Sequence, residues 1–438
     1  MQYSSIEEIY ERFLAANQVV CTDTRAITKG AIFFALKGAN FDGNTFALKA
    51  LEMGCAAVVA DDSSLAGVSN VLLVSDVLKA LQQLAGHHRN QLTIPFLAIT
   101  GSNGKTTNKE LINAVLSRKY KVLATKGNLN NHIGVPLTLL SITKEHEFAV
   151  IEMGANHQGE IQELCEIANP DFGLITNIGK AHLEGFGGEE GVKKGKGELF
   201  RHLKANGGKA FINGDDAVLS DMAFHNDKIT FGCKKLYDLI GKDYTTGEML
   251  SFKFTTRYGE KDFNKLPLVK TQIIGHYNFN NCLAAACVGN YFKVSDADIK
   301  EALENYVPDM NRSQLVKTQR NTIILDAYNA NPNSMKAAIE NFAKYASQKK
   351  LVLLGDMFEL GDYAAAEHET VVQLLQQHGF KDVMLVGKEF CKVKNVSFEQ
   401  FETTALCFDA LKGRSIEGYT ILIKGSRSMK MESLQEAL

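Results

Sequence analysis

The chain has 438 residues, length for about three domains of ordinary size, and 45% hydrophobic and 22% charged residues allow each a packed core. A formal net charge of −2 gives no reason to expect a nucleic-acid partner or a membrane surface. The eight cysteines are scattered with no C-x-x-C pair, so they read as reduced core residues of a cytoplasmic protein and not as a disulfide or zinc framework. The opening MQYSSIEEIYERF is acidic and amphipathic, unlike a secretion signal, and no apolar run approaches a membrane span.

Residues 1–88 read as a small α/β unit. Helical periodicity over Ile6 to Leu14 leads to a central strand at Ile32 to Leu36, with turns at Gly38 and Gly43. A helix from Thr45 to Met53 and strands at Ala57 to Ala60 and Val71 to Val74 follow. Two polar clusters stand out, one around Asp23, Thr24 and Arg25 and one around Asn40, Asp42 and Gly43. Such residues build ordinary turns, and they also suit a nucleotide-like or sugar ligand.

Residues 89–307 read as a central unit of alternating strands and helices, the pattern of a parallel sheet covered on both faces. The strand Phe96 to Ile99 runs into ITGSNGKTTNKE, after which Leu111, Ile112, Val115 and Leu116 recur at helical spacing. A glycine-rich turn between strand and helix is how a chain cradles nucleotide phosphates. Gly101 and Gly104 let the backbone around Ser102 and Asn103 curl, and the helix start adds partial positive charge. Lys105 reaches the terminal phosphates, and the first of Thr106 and Thr107 offers Mg2+ a hydroxyl. The spacer holds two residues, Ser102 and Asn103, where the common P-loop has about four.

The strand Phe148 to Ile151 ends in Glu152, placed like the metal-facing acid of a P-loop domain, or like a carboxylate that caps the next loop. His182 follows the strand Gly173 to Thr176. Lys193, Lys194 and Lys196 share a segment with Glu189, Glu190 and Glu198, which on composition is a solvated, ion-paired face. From Lys209 onward, extended segments at 209–212, 229–232, 250–256 and 268–274 suggest antiparallel additions to the sheet. A helix then opens with His276, Tyr277, Asn278 and Asn281, and asparagine offers a donor and an acceptor to an adenine edge.

Residues 308–438 read as a second open α/β sheet, with strands at 322–325, 351–354, 383–386 and 421–423. Polar residues follow the strand ends, where ligands bind in such sheets: Asp326 and Asn329 to Asn331, Asp356 and Glu359, then Lys424, Ser426 and Arg427. Arg312 lies near the join with the central unit.

The segments ITGSNGKTT, GNLNNHIGVP, IEMGANHQGEI, TNIGKAHLEGFG and KGKGELF stand in the order of the Mur ligase family, which this chain resembles over all three units. DTRAITKGAIFFALKGANFDG, DAYNANPNSM, LGDMFELG and KGSRSM are most similar to the branch that joins D-alanyl-D-alanine to a UDP-N-acetylmuramoyl-tripeptide. The resemblance implies an ATP-dependent, cytoplasmic, monomeric enzyme working through an acyl phosphate. It assigns Lys105 to the phosphates, Thr106 and Glu152 to a first Mg2+, and His182 to a second. Lys196 matches a lysine that CO2 carbamylates into an anionic metal ligand. Asn131, Asn278, Asn281, Arg312 and Asp326 match nucleotide contacts, with Tyr277 where the family usually has histidine. Tyr328, Asn329, Asn331, Lys424, Ser426 and Arg427 match loops facing ATP and the incoming amine, and Thr24, Arg25, Asn40 and Asp42 are the candidates for the UDP-sugar.

Two other readings compete. A different ligase of the superfamily is disfavoured by the missing D-N-P-R loop of diaminopimelate-adding enzymes and by a first unit that folylpolyglutamate synthases lack. A P-loop switch without ligase chemistry leaves the polar loops of the outer units unexplained. Three units around one site predict a closing motion about a joint at Pro308 to Arg312.

Overall fold

The structure, a computed structural model, describes residues 3–245, 248–308, 311–394 and 396–438. In the first unit the strands Val20–Cys21, Ile32–Phe34, Ala57–Ala60 and Val71–Leu73 lie side by side in that order, all parallel. A short hairpin pairs Lys37–Gly38 with Phe41–Asp42.

The helix Val77–Asn90, capped by the Asp76 carboxylate, runs through the boundary expected after residue 88. It packs on helix Ile6–Ala15 of the first unit and on helices Gly134–Leu140 and Glu160–Ala168 of the central unit. Its buried His88 ties the two together, with Nε2 at 2.8 Å from the Ile142 carbonyl and Nδ1 at 3.3 Å from the Tyr10 hydroxyl. Burial holds the His88 pKa below the ordinary imidazole value. Next to it, the Arg89 guanidinium lies 3.8 Å from the Phe96 ring centre and donates to the Ala168 and Asn169 carbonyls.

The central sheet has nine strands. From one edge they run Val122–Ala124, Phe148–Glu152, Phe96–Thr100, Phe172–Ile175, Lys209–Asn213, Asp227–Gly232 and Leu239–Asp243, all parallel. Met249–Thr256 and Val269–Ile274 then join antiparallel. Of the four segments expected to add antiparallel, the last two do so, while Lys209–Asn213 and Asp227–Gly232 are parallel, a correction of that expectation. Helix Ala217–Met222 carries the chain back between Lys209–Asn213 and Asp227–Gly232, so both enter the sheet in the same direction. Strand Leu239–Asp243 has no apolar run of its own and was not expected.

All five residues of Phe96–Thr100 are buried. Leu97 and Ile99 pack on Leu111, Ile112 and Val115 of the phosphate-loop helix Lys105–Leu116, while Phe96 and Ala98 join the core on the other face. A strand covered on both sides is nearly all apolar, and its only outlet is its C-terminal end.

The C-terminal sheet orders its strands Gln314–Lys317, Thr322–Asp326, Thr420–Lys424, Lys350–Gly355, Asp382–Val386 and Glu399–Phe401. Only the first is antiparallel. It and Glu399–Phe401 are edge strands of four and three residues, too short to stand out in the sequence. Of the expected joint, Asp309 and Met310 lie outside the described residues. Among the described residues no helix is long and apolar enough to cross a membrane. All eight cysteines are free; six are buried, and Cys233 is exposed.

Candidate active site

The C-terminal ends of the central and C-terminal sheets face each other across a cavity of about 860 Å³. Central residues 102–107, Glu152, His182, Asn278 and Asn281 line one side; Arg312, Asp326, Tyr328, Asn329, Asn331 and Lys424 line the other. Asn131 lies at the rim, where its side chain accepts from the Gly134 N–H and caps the next helix.

The phosphate loop needs both of its glycines. Gly101 has φ +142°, and a Cβ there would stand 2.0 Å from the Thr176 hydroxyl; Gly104 has φ +78°. The loop is braced from the neighbouring strand end. Ser102 N–H donates to the Asn177 carbonyl, Asn103 N–H donates to Asn177 Oδ1, and the Thr176 hydroxyl donates to the Asn103 carbonyl at 2.6 Å. Two loop N–H groups expected to face a phosphate are therefore bonded to protein. The opening residues of helix Lys105–Leu116, whose N–H groups lack intrahelical partners, line the cavity instead. Lys105 Nζ folds back on the Gly101 carbonyl at 2.7 Å, and burial lowers its pKa while the Glu152 charge partly restores it.

Glu152 is 1% exposed. Its Oε1 accepts from Asn130 at 2.8 Å, while Oε2 has no partner among the described residues. A buried carboxylate oxygen left bare is costly unless a ligand serves it. Thr106 is also buried. A hydroxyl and a free carboxylate oxygen in one polar cavity suit a hard cation such as Mg2+. Among the described residues no three His, Cys, Asp or Glu side chains gather into a metal cluster, so these oxygens would need help from a ligand or a modified side chain.

His182 stands at the N-terminus of the turn Leu183–Phe186 with φ +54°, and its Nδ1 meets the Glu359 carboxylate of the C-terminal unit. Lys196 corrects the sequence reading. It is 1% exposed, not on a solvated face. Its Nζ donates to the Ala155 carbonyl at 2.9 Å and lies 4.9 Å from the Phe186 ring centre. Burial, then the Lys105 charge, push its pKa well below the usual lysine value. It lies beneath the cavity wall at Ala155 and does not line the cavity. Glu198 is buried too, accepting from the Gly159 and Gln162 N–H groups.

In the C-terminal unit, Asp326 and Lys424 face each other in adjacent strands, and Lys424 Nζ donates to Asp326 Oδ2 at 2.6 Å and to the Asn329 carbonyl. The guanidinium groups of Arg312 and Arg427 lie 3.5 and 4.8 Å from the Tyr328 ring centre, and Arg312 Nε has no partner among the described residues. Ser426 and Arg427 do not line the cavity; the Ser426 hydroxyl accepts from the Phe358 N–H.

The two units touch at several points. Asn331 donates to Asn103 Oδ1 at 2.7 Å, Lys180 N–H to Asn333, Lys180 Nζ to Glu367, and the Tyr277 hydroxyl sits 2.7 Å from that of Ser313. Tyr277 thus bonds across the interface. Thr24, Arg25, Asn40 and Asp42 lie outside this cavity. Arg25 pairs with Asp23 at 2.7 Å, and Asp42 accepts from Asn44.

Several residues packed behind the cavity wall escaped the sequence reading. Asn108 donates to Asn281 Oδ1 at 2.7 Å and to the Gly104 carbonyl, locking the loop to the helix that carries Asn278. The fully buried Lys109 donates to the Thr125 carbonyl, and the Thr125 hydroxyl accepts from the Glu152 N–H. A polar residue on the buried face of an apolar helix, three or four positions after Lys105, was the available signal.

Residues 18–115 match the catalytic domain of the Mur ligase family, 99–289 the Mur ligase middle domain and 311–427 the Mur ligase glutamate ligase domain. The UDP-N-acetylmuramoyl-tripeptide--D-alanyl-D-alanine ligase of Bacillus subtilis is 38% identical, over 96% of this chain and 92% of that protein. The chain belongs to the Mur ligase family. The Escherichia coli ligase of the same name is 37% identical over 96% of this chain and 93% of its own length. Among solved structures, MurF from Acinetobacter baumannii superposes with a TM-score of 0.86 at 30% identity, covering 98% of this chain and 97% of that one. MurF from Thermotoga maritima, in complex with ADP, gives 0.84 at 28% identity, covering 96% and 97%. As in those Mur ligases, the chain has three α/β units in series.

Proposed function

We propose that the chain is an ATP-dependent ligase that adds D-alanyl-D-alanine to a UDP-N-acetylmuramoyl-tripeptide in peptidoglycan precursor synthesis. The observation that carries this reading is the shared cavity, where a phosphate loop faces the polar strand ends of the C-terminal unit, in a chain aligned nearly end to end with ligases of that name.

The obstacle to the reaction is crowded negative charge, since a carboxylate must meet a triphosphate. A tripeptide carboxylate oxygen attacks the γ-phosphorus of ATP, the bond to the bridging oxygen breaks, and ADP leaves with the electron pair. The amine nitrogen of D-alanyl-D-alanine attacks the acyl carbon. The tetrahedral adduct loses phosphate, and the amine gives up its proton. Lys105 swings from the Gly101 carbonyl to the phosphates, and the helix N–H groups hold them. Thr106 and Glu152 Oε2 would hold a first Mg2+, and His182 with a carbamylated Lys196, turned out from the Ala155 carbonyl, would hold a second. Bound Mg2+ supplies the positive charge that lets the two anions approach.

Lys196 suits carbamylation because its burial favours the neutral amine, whose lone pair attacks CO2 while an N–H proton is lost. Asn131, Asn278, Asn281 and Arg312 contact the nucleotide. Asp326, Tyr328, Asn329, Asn331, Lys424, Ser426 and Arg427 shape the side from which the amine arrives. Thr24, Arg25, Asn40 and Asp42 hold the UDP-sugar. An enzyme on this route works in the cytoplasm as a monomer, and its loss halts cell-wall growth, shape maintenance and division. Phosphate release with ATP, Mg2+ and UDP-muramoyl-tripeptide is expected to require D-alanyl-D-alanine. Equal turnover without any amine would overturn the assignment.

A further inference from the structure

Glu359 belongs to the C-terminal unit, yet its carboxylate meets Nδ1 of His182 in the central unit. Both residues adopt left-handed backbone, with φ +62° and +54°, which non-glycine residues take at a cost. The contact is built from both sides. The Glu184 N–H donates to the Glu359 carbonyl at 3.3 Å, and Gly361 packs against Glu184. Behind Glu359, the buried His368 accepts the Met357 N–H at 3.1 Å, the Ser426 hydroxyl accepts the Phe358 N–H at 3.1 Å, and the buried Asp356 carboxylate accepts the Glu389 and Phe390 N–H groups. The loop therefore holds its carboxylate at a set place. Glu359 is half exposed, so the pair adds little stability. What it fixes is the ring: a carboxylate held against Nδ1 favours the proton on that nitrogen and leaves Nε2 to accept or ligate.

We infer that Glu359 is the positioning residue of His182, and that docking of the C-terminal unit and orientation of this histidine are one event. The inference rests on the proposed metal role of His182. It adds that an undocked enzyme carries an unset His182, so the second metal site is completed only around a closed cavity.

The full-length enzyme with 15N-labelled histidine tests this without turnover. The His182 signal, identified by its loss in His182→Gln, is expected to show the Nδ1–H tautomer, and to move toward mixed tautomers in Glu359→Ala. Glu359→Gln, which keeps an acceptor oxygen, should lie between. Glu367→Lys, which breaks the Lys180 contact elsewhere in the same interface and bonds to neither residue, should move the signal as Glu359→Ala does. In a second readout, Mn2+ titration with a non-hydrolysable ATP analogue, Glu359→Ala should weaken the weaker site about 10-fold or more. An unmoved His182 signal in Glu359→Ala would overturn the inference, and an unmoved signal in Glu367→Lys would overturn the link to docking. Unchanged Mn2+ binding in His182→Gln would instead sink the metal role of His182, leaving the tautomer result to be judged alone.

Discussion

Polar side chains crowd two regions of this chain, and they differ in what they leave undone. In the first unit, Arg25 is paired with Asp23, and Asp42 with Asn44, which also bridges to Asp61. In the cavity between the central and C-terminal units, Glu152 Oε2 and Arg312 Nε are buried with no partner among the described residues. An unsatisfied buried group costs about 1–3 kcal/mol, so two such groups lining one cavity mark a surface shaped for a ligand and not for stability. The first unit's clusters already fold turns, and any ligand there must compete with the bonds they make.

The contrast breaks most readily at the phosphate loop. Lys105→Ala is expected to lower kcat by about 1000-fold while the circular dichroism spectrum is kept; retention of a tenth of the activity would remove Lys105 from the charge-bearing set. Glu152→Gln separates function from stability. Turnover should fall about 100-fold, yet the thermal midpoint should hold or rise, because a bare buried charge is replaced by a neutral amide. A midpoint lowered by several degrees would mean that Glu152 is a structural group.

His88 probes the joint between the two regions. Its folded pKa lies below its unfolded value of about 6.5, so the unfolded chain binds the extra proton. Its contribution is whole above pH 6.5 and is lost as pH falls from there toward the folded pKa. Denaturant melts at pH 7.5 and 5.5 should show a smaller acid loss in His88→Gln than in the parent, and an equal loss would contradict the buried neutral ring. The smallest effect belongs to the first unit. Arg25→Ala should change stability by under ~0.5 kcal/mol, since its ion pair is exposed. Under the proposed function it should still raise KM for the UDP-tripeptide severalfold, with kcat unchanged. A large stability loss would mean that the Asp23 turn is structural only.

What the sequence made legible follows from locality. Strand Phe96–Thr100, the loop and helix Lys105–Leu116 are set by contiguous residues, and they stand where the pattern placed them. Strand direction after Lys209 is decided by the crossover helix Ala217–Met222, a six-residue element with little pattern of its own. Lys196 read as solvated because its neighbours in sequence are charged, whereas its neighbours in space are Phe186 and the Ala155 carbonyl. The His182–Glu359 and Asn103–Asn331 contacts join residues far apart in the chain, and only the docked units bring them together.

Phosphoryl transfer to the substrate carboxylate is tested most directly by isotope. UDP-muramoyl-tripeptide labelled with oxygen-18 in the reacting carboxylate should, with ATP and D-alanyl-D-alanine, pass one labelled oxygen to the phosphate released at each turnover. Phosphate free of label, with product still formed, would contradict the acyl phosphate and with it this reading of the cavity.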